Sequence, residues 1–578
     1  MSSGARQLTE LTAGGFRWQV APEWRDALFG AHGLRLEEWL RAGLARVVKH
    51  GPHRTVYHVT LPDKSFYLKH YRLADLRAWL RQLVRPAKAR IEFERALAVA
   101  ERSVPTVAPV AMGQVHWAHG PGDSFLITRG LDGAEPISMI ADVTLPTLDR
   151  RRQTRLRQRL AVALGEFVAR LHDEGIVHHD LHAANLLVCI GPEEEPSVHL
   201  VDLHAVHLGR PLGWRDSRDN LILLNRWFVL RAGRTDRLRF WLAYCRARTR
   251  LQVPWLAKES AGLQVAGQKH ALRGGARNLE TRTWKSNLRF WQHRDRRCLV
   301  RNRYYTRCHS AVASGHAVRD LDVEGLHHLL ADPDGPFRQT GQPLLKDSRS
   351  STVTELDIRV NGEIRRVIYK RFRITSRSEP WKALARRSPA LRSWIYGHGL
   401  RERCLPTARP LAVFHRRHSL LPCEGYLLME KIPGAVDLHA FLAYLATLAD
   451  GPRRRLLRHR IDQVARLVCG VHLRQLSHRD LKASNILLTP EGIWLIDLVG
   501  ITPYRRLSRV RREQNVARLH ASFCNSPILT RTDKLRFLRA YLQWGLRGKQ
   551  GWKSWWHAIE RATQVKQQRN ARNGRPLT

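Results

Sequence analysis

The chain has 578 residues, too many for one hydrophobic core, so its length predicts at least two domains. Its 98 Lys and Arg residues against 51 Asp and Glu give a formal net charge of +47, which argues against cationic ligands and favours anionic partners. The sequence has no apolar stretch of about 18 residues and no Cys-x-x-Cys pair, so we expect neither a transmembrane helix nor a zinc site, in a cytoplasmic protein.

The N-terminal part is predicted to contain a helical lead-in and then a small sheet. Residues 1–45 are expected to form the lead-in, held by large apolar side chains. Residues 49–56 precede a strand and contain only one glycine. The next strand, residues 65–70, alternates apolar and polar residues and ends near Lys69.

Residues 75–101 are predicted to be helical, with an interruption at Pro86. Five basic residues lie between positions 77 and 90, and the apolar residues before Pro86 fall on one side: Trp79, Leu80, Leu83 and Val84. The second part of the helix carries two acidic candidates for an ion pair with Lys69, namely Glu92 and, as the second choice, Glu94. Residues 125–129, including Thr128, are predicted to be a strand, and residues 155–172 a long amphipathic helix.

After this helix comes the stretch His-His-Asp-Leu-His-Ala-Ala-Asn at residues 178–185, which recurs as His-Arg-Asp-Leu-Lys-Ala-Ser-Asn at residues 478–485. Each copy has the His-x-Asp-x-x-x-x-Asn pattern of the catalytic loop of protein-kinase-like phosphotransferases. Two short apolar strands follow each copy, and an Asp stands where the second one ends, at Asp202 and Asp497.

The pattern predicts a role for each polar residue. Asp180 and Asp480 would accept the proton of an acceptor hydroxyl group, and Lys482 would neutralise the transferring phosphoryl group. The predicted magnesium ligands are Asn185, Asp202, Asn485 and Asp497.

The remaining candidates concern ATP. Lys69 is predicted to orient its phosphates and to pair with Glu92, and Lys370 is the corresponding lysine of the second copy. Thr128 and Glu430 mark the strands predicted to lead into the hinge that meets adenine.

Other blocks also recur about 300 residues apart, which indicates a duplicated domain. The sequence therefore predicts an α+β fold with two tandem protein-kinase-like bilobal domains, each with a small antiparallel β lobe and a larger helical lobe. Beside the lead-in, we expect domains at 46–275 and 285–547, a junction containing glycines between them, and a basic, tryptophan-containing tail at 548–578.

The two copies differ in ways that bear on activity. Residues 381–401 contain no acidic residue, so Lys370 would lack the partner that Glu92 provides in the first copy, and this copy could bind nucleotide without efficient turnover. In both copies the segment after the second Asp is short and lacks the Ala-Pro-Glu motif of protein kinases. This favours a small-molecule or lipid-sugar acceptor over a peptide.

The two loops, the strands ending at Asp202 and Asp497, the short segments after them and the Val-Pro-Thr step at 104–106 resemble the lipopolysaccharide kinase family (InaA/WaaP-like, the Kdo and heptose kinases). The resemblance covers residues 45–275 and 285–545. It implies ATP and Mg²⁺ as cofactors, a core-sugar hydroxyl group as acceptor, and action at the inner face of the membrane.

Several alternatives remain open at this point. A tandem pseudokinase scaffold would bind nucleotide without turnover, and a Ser/Thr protein kinase would phosphorylate protein. An aminoglycoside-type phosphotransferase would have cationic substrates, which the net charge disfavours. The expected partners are an anionic glycolipid, an anionic membrane in peripheral contact and, less favoured, nucleic acid, although dispersed arginines can equally reflect a basic proteome.

Overall fold

The computed structural model describes residues 8–51, 53–73, 76–115, 120–248, 265–339, 344–375, 387–418, 421–545, 551–572 and 574. The chain divides into two compact units, residues 1–286 and 287–578. Each unit has a seven-stranded antiparallel sheet and a helical lobe with short two- and three-stranded sheets, which confirms the predicted α+β architecture.

The small lobe of the first unit is built on a sheet in the order β1-β2-β8-β9-β7-β6-β5. Its strands are β1 (Thr9–Ala13), β2 (Phe16–Val20), β3 (Phe29–Gly30), β4 (Gly33–Leu34), β5 (Ala45–Lys49), β6 (Arg54–Thr60), β7 (Ser65–Tyr71), β8 (Pro109–Val115) and β9 (Ser124–Arg129). Its helices are α1 (Arg25–Leu28), α2 (Leu36–Arg41), α3 (Leu76–Val84) and α4 (Lys88–Glu101). Helix α4 packs on the sheet through Phe93, which meets Met112 and Leu126.

The larger lobe of the first unit surrounds the long helix α7. Its strands are β10 (Glu135–Pro136), β11 (Ile176–His178), β12 (Leu186–Ile190), β13 (Pro196–Leu200) and β14 (Val206–Leu208). Its helices are α5 (Ile137–Met139), α6 (Leu145–Thr147), α7 (Arg150–Asp173), α8 (Trp214–Phe228), α9 (Arg234–Ala247) and α10 (Val265–Arg294), the last of which extends across the boundary between the units. The buried faces of α7, α8 and α9 form its core with β11 to β14.

The second unit repeats this plan, with its large sheet in the order β15-β16-β20-β21-β19-β18-β17. Its small lobe contains β15 (Tyr305–His309), β16 (Ala313–Val318), α11 (Val323–Ala331), α12 (Gly335–Arg338), β17 (Leu344–Ser348), β18 (Ser351–Val360), β19 (Glu363–Phe372), α13 (Pro389–Glu402), β20 (Pro410–His418) and β21 (Leu421–Glu430). Its larger lobe contains β22 (Val436–Asp437), α14 (Leu438–Ala446), α15 (Asp450–Leu473), β23 (Leu476–His478), β24 (Ile486–Leu488), β25 (Ile493–Leu495), β26 (Ile501–Pro503), α16 (Arg509–Ala521), α17 (Arg531–Gly545) and α18 (Trp552–Arg572).

The prediction of a helical lead-in at residues 1–45 is wrong for most of its described part. Strands β1 and β2 form a hairpin and extend the large sheet by pairing with β8. The inward residues Trp18 and Val20 are buried, whereas Arg17 and Gln19 face outward. This alternation with period two, rather than the helical period, decides the local structure.

The boundary between the units, after residue 286, lies next to the expected start of the second domain at residue 285. Residues 265–294 form one continuous helix, so the expected junction containing glycines is not found there; Gly262 lies outside the described residues. The tail beyond residue 551 is helix α18, which buries Trp556 and Ile559 in the core of the second larger lobe. Within the described ranges, no helix combines the length and apolar character needed to cross a bilayer.

One pair of neighbouring strands shows how the duplicated units diverged. On β2 and β8 of the first unit Trp18 lies opposite Gly113, and on the corresponding β16 and β20 Gly315 lies opposite Phe414. A methyl group at Gly113 would meet the Trp18 ring at 2.6 Å, and one at Gly315 would meet the carbonyl oxygen of Val413 at 1.9 Å. Each unit therefore pairs one glycine with one aromatic residue, on opposite strands; the nearest obstacle to a side chain is the ring at Gly113 and the backbone of the neighbouring strand at Gly315.

Candidate active site

The loop at residues 178–185 is fixed by hydrogen bonds to buried groups. His178 ends β11 and is fully buried, and its Nδ1 accepts a hydrogen bond from the amide of Asp180 at 3.1 Å. The Nδ2 of Asn185 donates to the carbonyl oxygen of Asp180 at 2.9 Å. The Asp180 carboxylate itself is 60% exposed and lies 3.5 Å from His182. The loop thus holds its backbone rigidly while presenting the Asp180 side chain to a ligand.

Asp202 follows β13 and adopts a left-handed backbone conformation with φ of 61°. Its Oδ1 lies 3.0 Å from His204 Nδ1, 3.4 Å from Arg54 Nη1 and 3.7 Å from Lys69 Nζ. Burial alone would raise the pKa of Asp202, but the hydrogen bond with His204 and the charge of Lys69 outweigh it and hold that pKa well below its usual range. The same hydrogen bond raises the pKa of His204. Two cationic side chains, Arg54 and Lys69, and a histidine with a raised pKa therefore surround one ionised carboxylate, and this positive charge suits a polyanionic ligand.

The ion pair of Lys69 with Glu92 joins the sheet of the first unit to helix α4. Lys69 lies on β7 and its Nζ contacts Glu92 Oε1 directly, while Tyr71 OH donates to Glu92 Oε2 at 2.6 Å. Glu92 is almost fully buried, whereas the second candidate, Glu94, forms a surface pair with Arg90 at 2.8 Å. Of the two acidic candidates, the structure brings only Glu92 to Lys69.

The Val-Pro-Thr step at residues 104–106 connects α4 to the strand that carries Asp202. The amide of Leu200 donates to the carbonyl oxygen of Pro105 at 3.0 Å, and Thr106 Oγ1 donates to the carbonyl oxygen of Leu200 at 2.7 Å. Thr407 makes the same bond to Leu495 at 2.7 Å in the second unit. This step links the small lobe to the larger lobe beside the site.

The two hinge candidates do not occupy corresponding positions. Thr128 is buried on β9 opposite Tyr67. Glu430 ends β21 opposite Val367, where its Oε1 lies 3.4 Å from Arg409 and 3.6 Å from Arg365. The register of the strands makes Met429, rather than Glu430, the counterpart of Thr128.

The loop at residues 478–485 of the second unit has the same geometry as the loop at residues 178–185. The amide of Asp480 donates to His478 Nδ1 at 3.2 Å, and Asn485 Nδ2 donates to the carbonyl oxygen of Asp480 at 2.8 Å. Lys482 Nζ lies 3.5 Å from the Asp480 carboxylate, in the place that His182 takes in the first unit. Asp497 is also left-handed, with φ of 56°. The divergence between the units lies elsewhere.

The second unit lacks the polar side chains that lie around Lys69 and Asp202 in the first. Lys370 Nζ donates directly to Asp497 Oδ1 at 3.1 Å. Burial alone would raise the pKa of Asp497, but the charge and hydrogen bond of Lys370 lower it. The strand pairing and the helix positions show which residues correspond in the two units. Those that correspond to Arg54, Tyr71 and Glu92 are Ser351, Phe372 and Ser393. With no acidic partner at this helix position, the lysine pairs with the candidate metal ligand itself.

Three contacts of the first site, made by Arg54, Tyr71 and His204, were not predicted. Arg54 and Asp202 are 148 residues apart in the chain, and only the folded sheet brings them together. Tyr71 lies two positions after Lys69 and therefore on the same face of β7, a spacing that could have indicated it. His204 follows Asp202 by two residues, where the Gly of a kinase Asp-Phe-Gly motif would stand.

A network of buried hydrogen bonds contacts each of the two loops, and the sequence analysis did not predict it. His172 Nδ1 lies 2.9 Å from Tyr244 OH, and Asn220 Nδ2 donates to the carbonyl oxygen of His178 at 2.8 Å. In the second unit the corresponding residues are His472, Tyr541 and Asn515, with 2.7 Å between His472 and Tyr541. All three side chains recur about 300 residues later, so a comparison of the two repeats could have indicated the network.

These buried histidines make stability depend on pH. Burial lowers the pKa of His172, His398 and His472 to about 3, and of His415 and His520 to about 4. Below a pH of about 6.5 the unfolded chain binds protons that the folded chain does not, so each such histidine lowers the free energy of unfolding by about 1.4 kcal/mol per pH unit. Four of the five lie in the second unit, which we expect to lose more stability than the first between pH 7.5 and 5.5.

Hydrogen exchange with peptide-level mass spectrometry checks this expectation, since it measures the opening free energy of each unit within the intact chain. The expectation would be contradicted if the opening free energies of the two units fell by the same amount between pH 7.5 and pH 5.5.

The donor atoms beside Asp202 fit a magnesium ion. The Nδ2 of Asn185 is engaged by the loop, which leaves its Oδ1 for a metal, and Asp202 supplies an ionised carboxylate. Mg²⁺ prefers such oxygen ligands and is commonly bound by one or two protein groups together with substrate phosphates. In the second unit Asn485 is placed in the same way, but the Asp497 carboxylate is paired with Lys370.

Comparisons with known proteins agree with this arrangement. The family model described as the lipopolysaccharide kinase (Kdo/WaaP) family matches residues 44–244 and again residues 353–541. The chain is 35% identical over 152 residues to the 3-deoxy-D-manno-octulosonic acid kinase of Stenotrophomonas maltophilia (strain R551-3), covering 25% of this chain and 55% of that protein. It is 36% identical over 116 residues to the kinase of the same name from Photobacterium profundum, covering 20% and 44%. The chain thus spans about half the length of these curated relatives.

Two solved structures are also similar. One is described as WaaP in complex with acyl carrier protein, with 19% identity, a TM-score of 0.30, and coverage of 45% of this chain and 96% of that chain. The other is the BubR1 kinase domain, with 17% identity, a TM-score of 0.24, and coverage of 39% and 65%.

Proposed function

The chain belongs to the lipopolysaccharide kinase (Kdo/WaaP) family, and from this premise we propose that its first unit transfers the terminal phosphoryl group of ATP to a hydroxyl group of a lipopolysaccharide core sugar or a related anionic glycolipid. The observation that carries the proposal is the meeting of Lys69, Glu92 and Asp202 beside the loop of Asp180 and Asn185. The relatives act on 3-deoxy-D-manno-octulosonic acid, which makes this sugar the first acceptor to test.

On this proposal the phosphates of ATP bind between Lys69 and Arg54. Glu92 holds the Lys69 ammonium group in place, and Tyr71 fixes the second oxygen of Glu92. Arg54 takes the part that backbone amides of a glycine-rich loop play in other kinases, since residues 49–56 contain only Gly51.

Asn185 Oδ1 and Asp202 would hold the metal, which supplies charge neutralisation at the phosphoryl group when bound. Asp180 orients the acceptor hydroxyl group and takes its proton as the oxygen attacks phosphorus in line with the leaving ADP. His182, beside Asp180, adds a hydrogen-bonding group at the place where Lys482 stands in the second unit. The proton of the acceptor hydroxyl group thus goes to Asp180, and the phosphoryl group passes from ATP to the acceptor oxygen.

The acceptor class follows from what surrounds the loop. Only residues 203–213 separate Asp202 from helix α8, and they contain the short strand β14. This leaves little chain for a peptide-binding platform such as protein kinases have between their metal-binding Asp and Ala-Pro-Glu motif. The +47 net charge favours an acceptor that is itself anionic, such as a phosphorylated glycolipid.

For the second unit we propose a non-catalytic role. Ser393 stands at the helix position of Glu92, so Lys370 has the candidate metal ligand Asp497 as its partner in this unit. Binding of ATP there must break this pair and finds no equivalent of Glu92 to receive the lysine. The pseudokinase alternative therefore applies to this unit and not to the first.

The experiment that tests the proposed reaction measures transfer of labelled terminal phosphate from ATP and Mg²⁺ to four acceptors: purified lipopolysaccharide, its delipidated core oligosaccharide, a mixed protein substrate and kanamycin. Label on the first two supports the proposal. Label on protein alone would favour a protein kinase, and label on kanamycin an aminoglycoside-type phosphotransferase.

Replacing Arg54 by serine, the residue of the second unit, is expected to weaken ATP binding. The change removes the guanidinium group that lies 3.4 Å from Asp202, so we expect KM for ATP to rise about tenfold with a smaller change in kcat. Steady-state kinetics with varied ATP measure both constants.

Arg17→Ser is the matched control for this variant, because it removes an exposed guanidinium group from the same sheet, where it pairs with Glu10. An unchanged KM in Arg54→Ser would remove Arg54 from the phosphate site.

A further inference from the structure

Helix α3 exposes an apolar stripe that a helix of a folded domain normally buries. Its apolar residues occur at the i, i+3, i+4, i+7 and i+8 positions of one helix face. All of them are exposed, with fractions that reach 72% and 86% at the two ends of the helix: Leu76, Trp79, Leu80, Leu83 and Val84. They lie outside the hydrophobic clusters formed by the described residues of this lobe.

The helix is attached to the lobe through its polar side. Gln82 Nε2 donates to the carbonyl oxygen of Gly122 at 3.0 Å, and just before the helix the amide of Leu73 donates to Asp123 at 2.9 Å. Both acceptors belong to the connection between β8 and β9. These bonds hold α3 on the surface while its apolar stripe faces away from the described core.

The helix and the segment after it are rich in basic residues, although Asp75 precedes the helix and Asp123 lies beside its start. Residues 76–91 contain five basic residues and no acidic one: Arg77, Arg81, Arg85, Lys88 and Arg90. Arg85 and Lys88 are exposed, and the pair of Arg90 with Glu94 is a surface pair. An apolar stripe flanked by cations is the composition of helices that lie in the interface of an anionic bilayer.

We propose that α3 docks the first unit onto an anionic phospholipid bilayer, with its leucines, Trp79 and Val84 in the acyl boundary and the basic residues at the phosphate groups. The basic residues require an anionic occupant, and a bilayer is favoured because leucines and a tryptophan in one stripe beside basic residues are typical of helices at a lipid interface. The inference is independent of the proposed reaction, since it rests on the surface of the small lobe and not on the site.

The second half of the chain does not repeat the full apolar stripe of α3 in its sequence. The corresponding stretch, residues 377–385, lies outside the described residues. It contains Glu379 and Pro380, and of the five stripe positions only two stay large and apolar, because those matching Leu76, Trp79 and Val84 are Arg377, Pro380 and Ala385. Docking is thus assigned to the unit that carries the complete candidate site.

The test is co-sedimentation of the full chain with vesicles of phosphatidylcholine alone and of equal parts phosphatidylcholine and phosphatidylglycerol. We expect binding to the anionic vesicles, and a loss of at least about tenfold in the partition coefficient for the triple variant Leu76→Ser, Leu80→Ser, Leu83→Ser, because it removes three inserted side chains. The matched control is Val323→Ser, Ile364→Ser, Val510→Ser, which removes three similarly exposed apolar side chains scattered over the second unit. It should change binding by less than about twofold.

A double variant of two basic residues separates the contribution of charge to vesicle binding from that of the apolar stripe. Arg85→Ser with Lys88→Ser should weaken binding about tenfold or more at low salt, and the difference should shrink at high salt. Failure of the wild type to bind anionic vesicles, or equal binding by the leucine variant and its control, overturns the proposal. So does a dimer in solution that the leucine variant abolishes, since the stripe would then be a contact between two copies.

Phosphoryl transfer to the delipidated core oligosaccharide keeps the two proposals distinguishable. The leucine variant should keep wild-type activity on this soluble acceptor. Vesicle binding can be measured even if the chain phosphorylates none of the acceptors tested.

Discussion

Asp202→Ala is expected to lower the rate of phosphoryl transfer by at least about 1,000-fold, whereas Asp497→Ala should change it by less than about twofold. The first substitution removes the carboxylate that lies 3.7 Å from Lys69 Nζ, beside the Lys69–Glu92 pair. The second removes a carboxylate in the unit where Ser393 replaces Glu92 and the lysine has no acidic partner on the helix. Labelled transfer to lipopolysaccharide, measured for both single variants and the double variant, gives the comparison directly.

The two single variants are matched, because each Asp has the same left-handed backbone and the same place after the catalytic loop. Circular dichroism and thermal unfolding would verify that both remain folded. A large loss with Asp497→Ala and none with Asp202→Ala would assign the reaction to the second unit. Equal partial losses would mean that both units work.

Gly113→Phe should destabilise the first unit by about 3 kcal/mol or more, because the new ring must occupy the space of the Trp18 ring. Trp18→Gly should cost about 4 kcal/mol through the cavity that it leaves in a fully buried position. The double variant reproduces the arrangement of Gly315 opposite Phe414, so we expect a favourable coupling energy of about 2 kcal/mol or more between the two changes.

Denaturant unfolding of the full-length variants, followed by peptide-level hydrogen exchange in each unit, measures these free energies. The second unit should be unaffected in all three variants and serves as an internal control. Additive losses in the double variant would show that the two positions do not share one space.

The positions of the polar site residues could be predicted because short-range spacing fixes them. Asp180 and Asn185 are five residues apart in one loop, and Asp202 follows a two-stranded hairpin whose pairing its apolar residues specify. Their meeting with Lys69 required the fold resemblance, since nothing local connects residue 69 to residue 202.

Other parts of the structure could not be predicted from local patterns. The hairpin of β1 and β2 has strands of five residues, too short for alternation to be told from a helical pattern around Trp18. The contact of Arg54 with Asp202 depends on how the small lobe lies over the loop. The missing partner of Lys370 was visible in the sequence, but the identity of its new partner, Asp497, was not.

The exchange of ring and glycine between β2 and β8 has a consequence for the gene. Two tandem copies of similar sequence invite recombination, which would join the first part of one small lobe to the last part of the other. A crossover between these strands would place Trp18 opposite Phe414 or Gly315 opposite Gly113, and so leave either two rings in one space or none. Selection against such products would help the duplicated halves to remain separate and keep diverging.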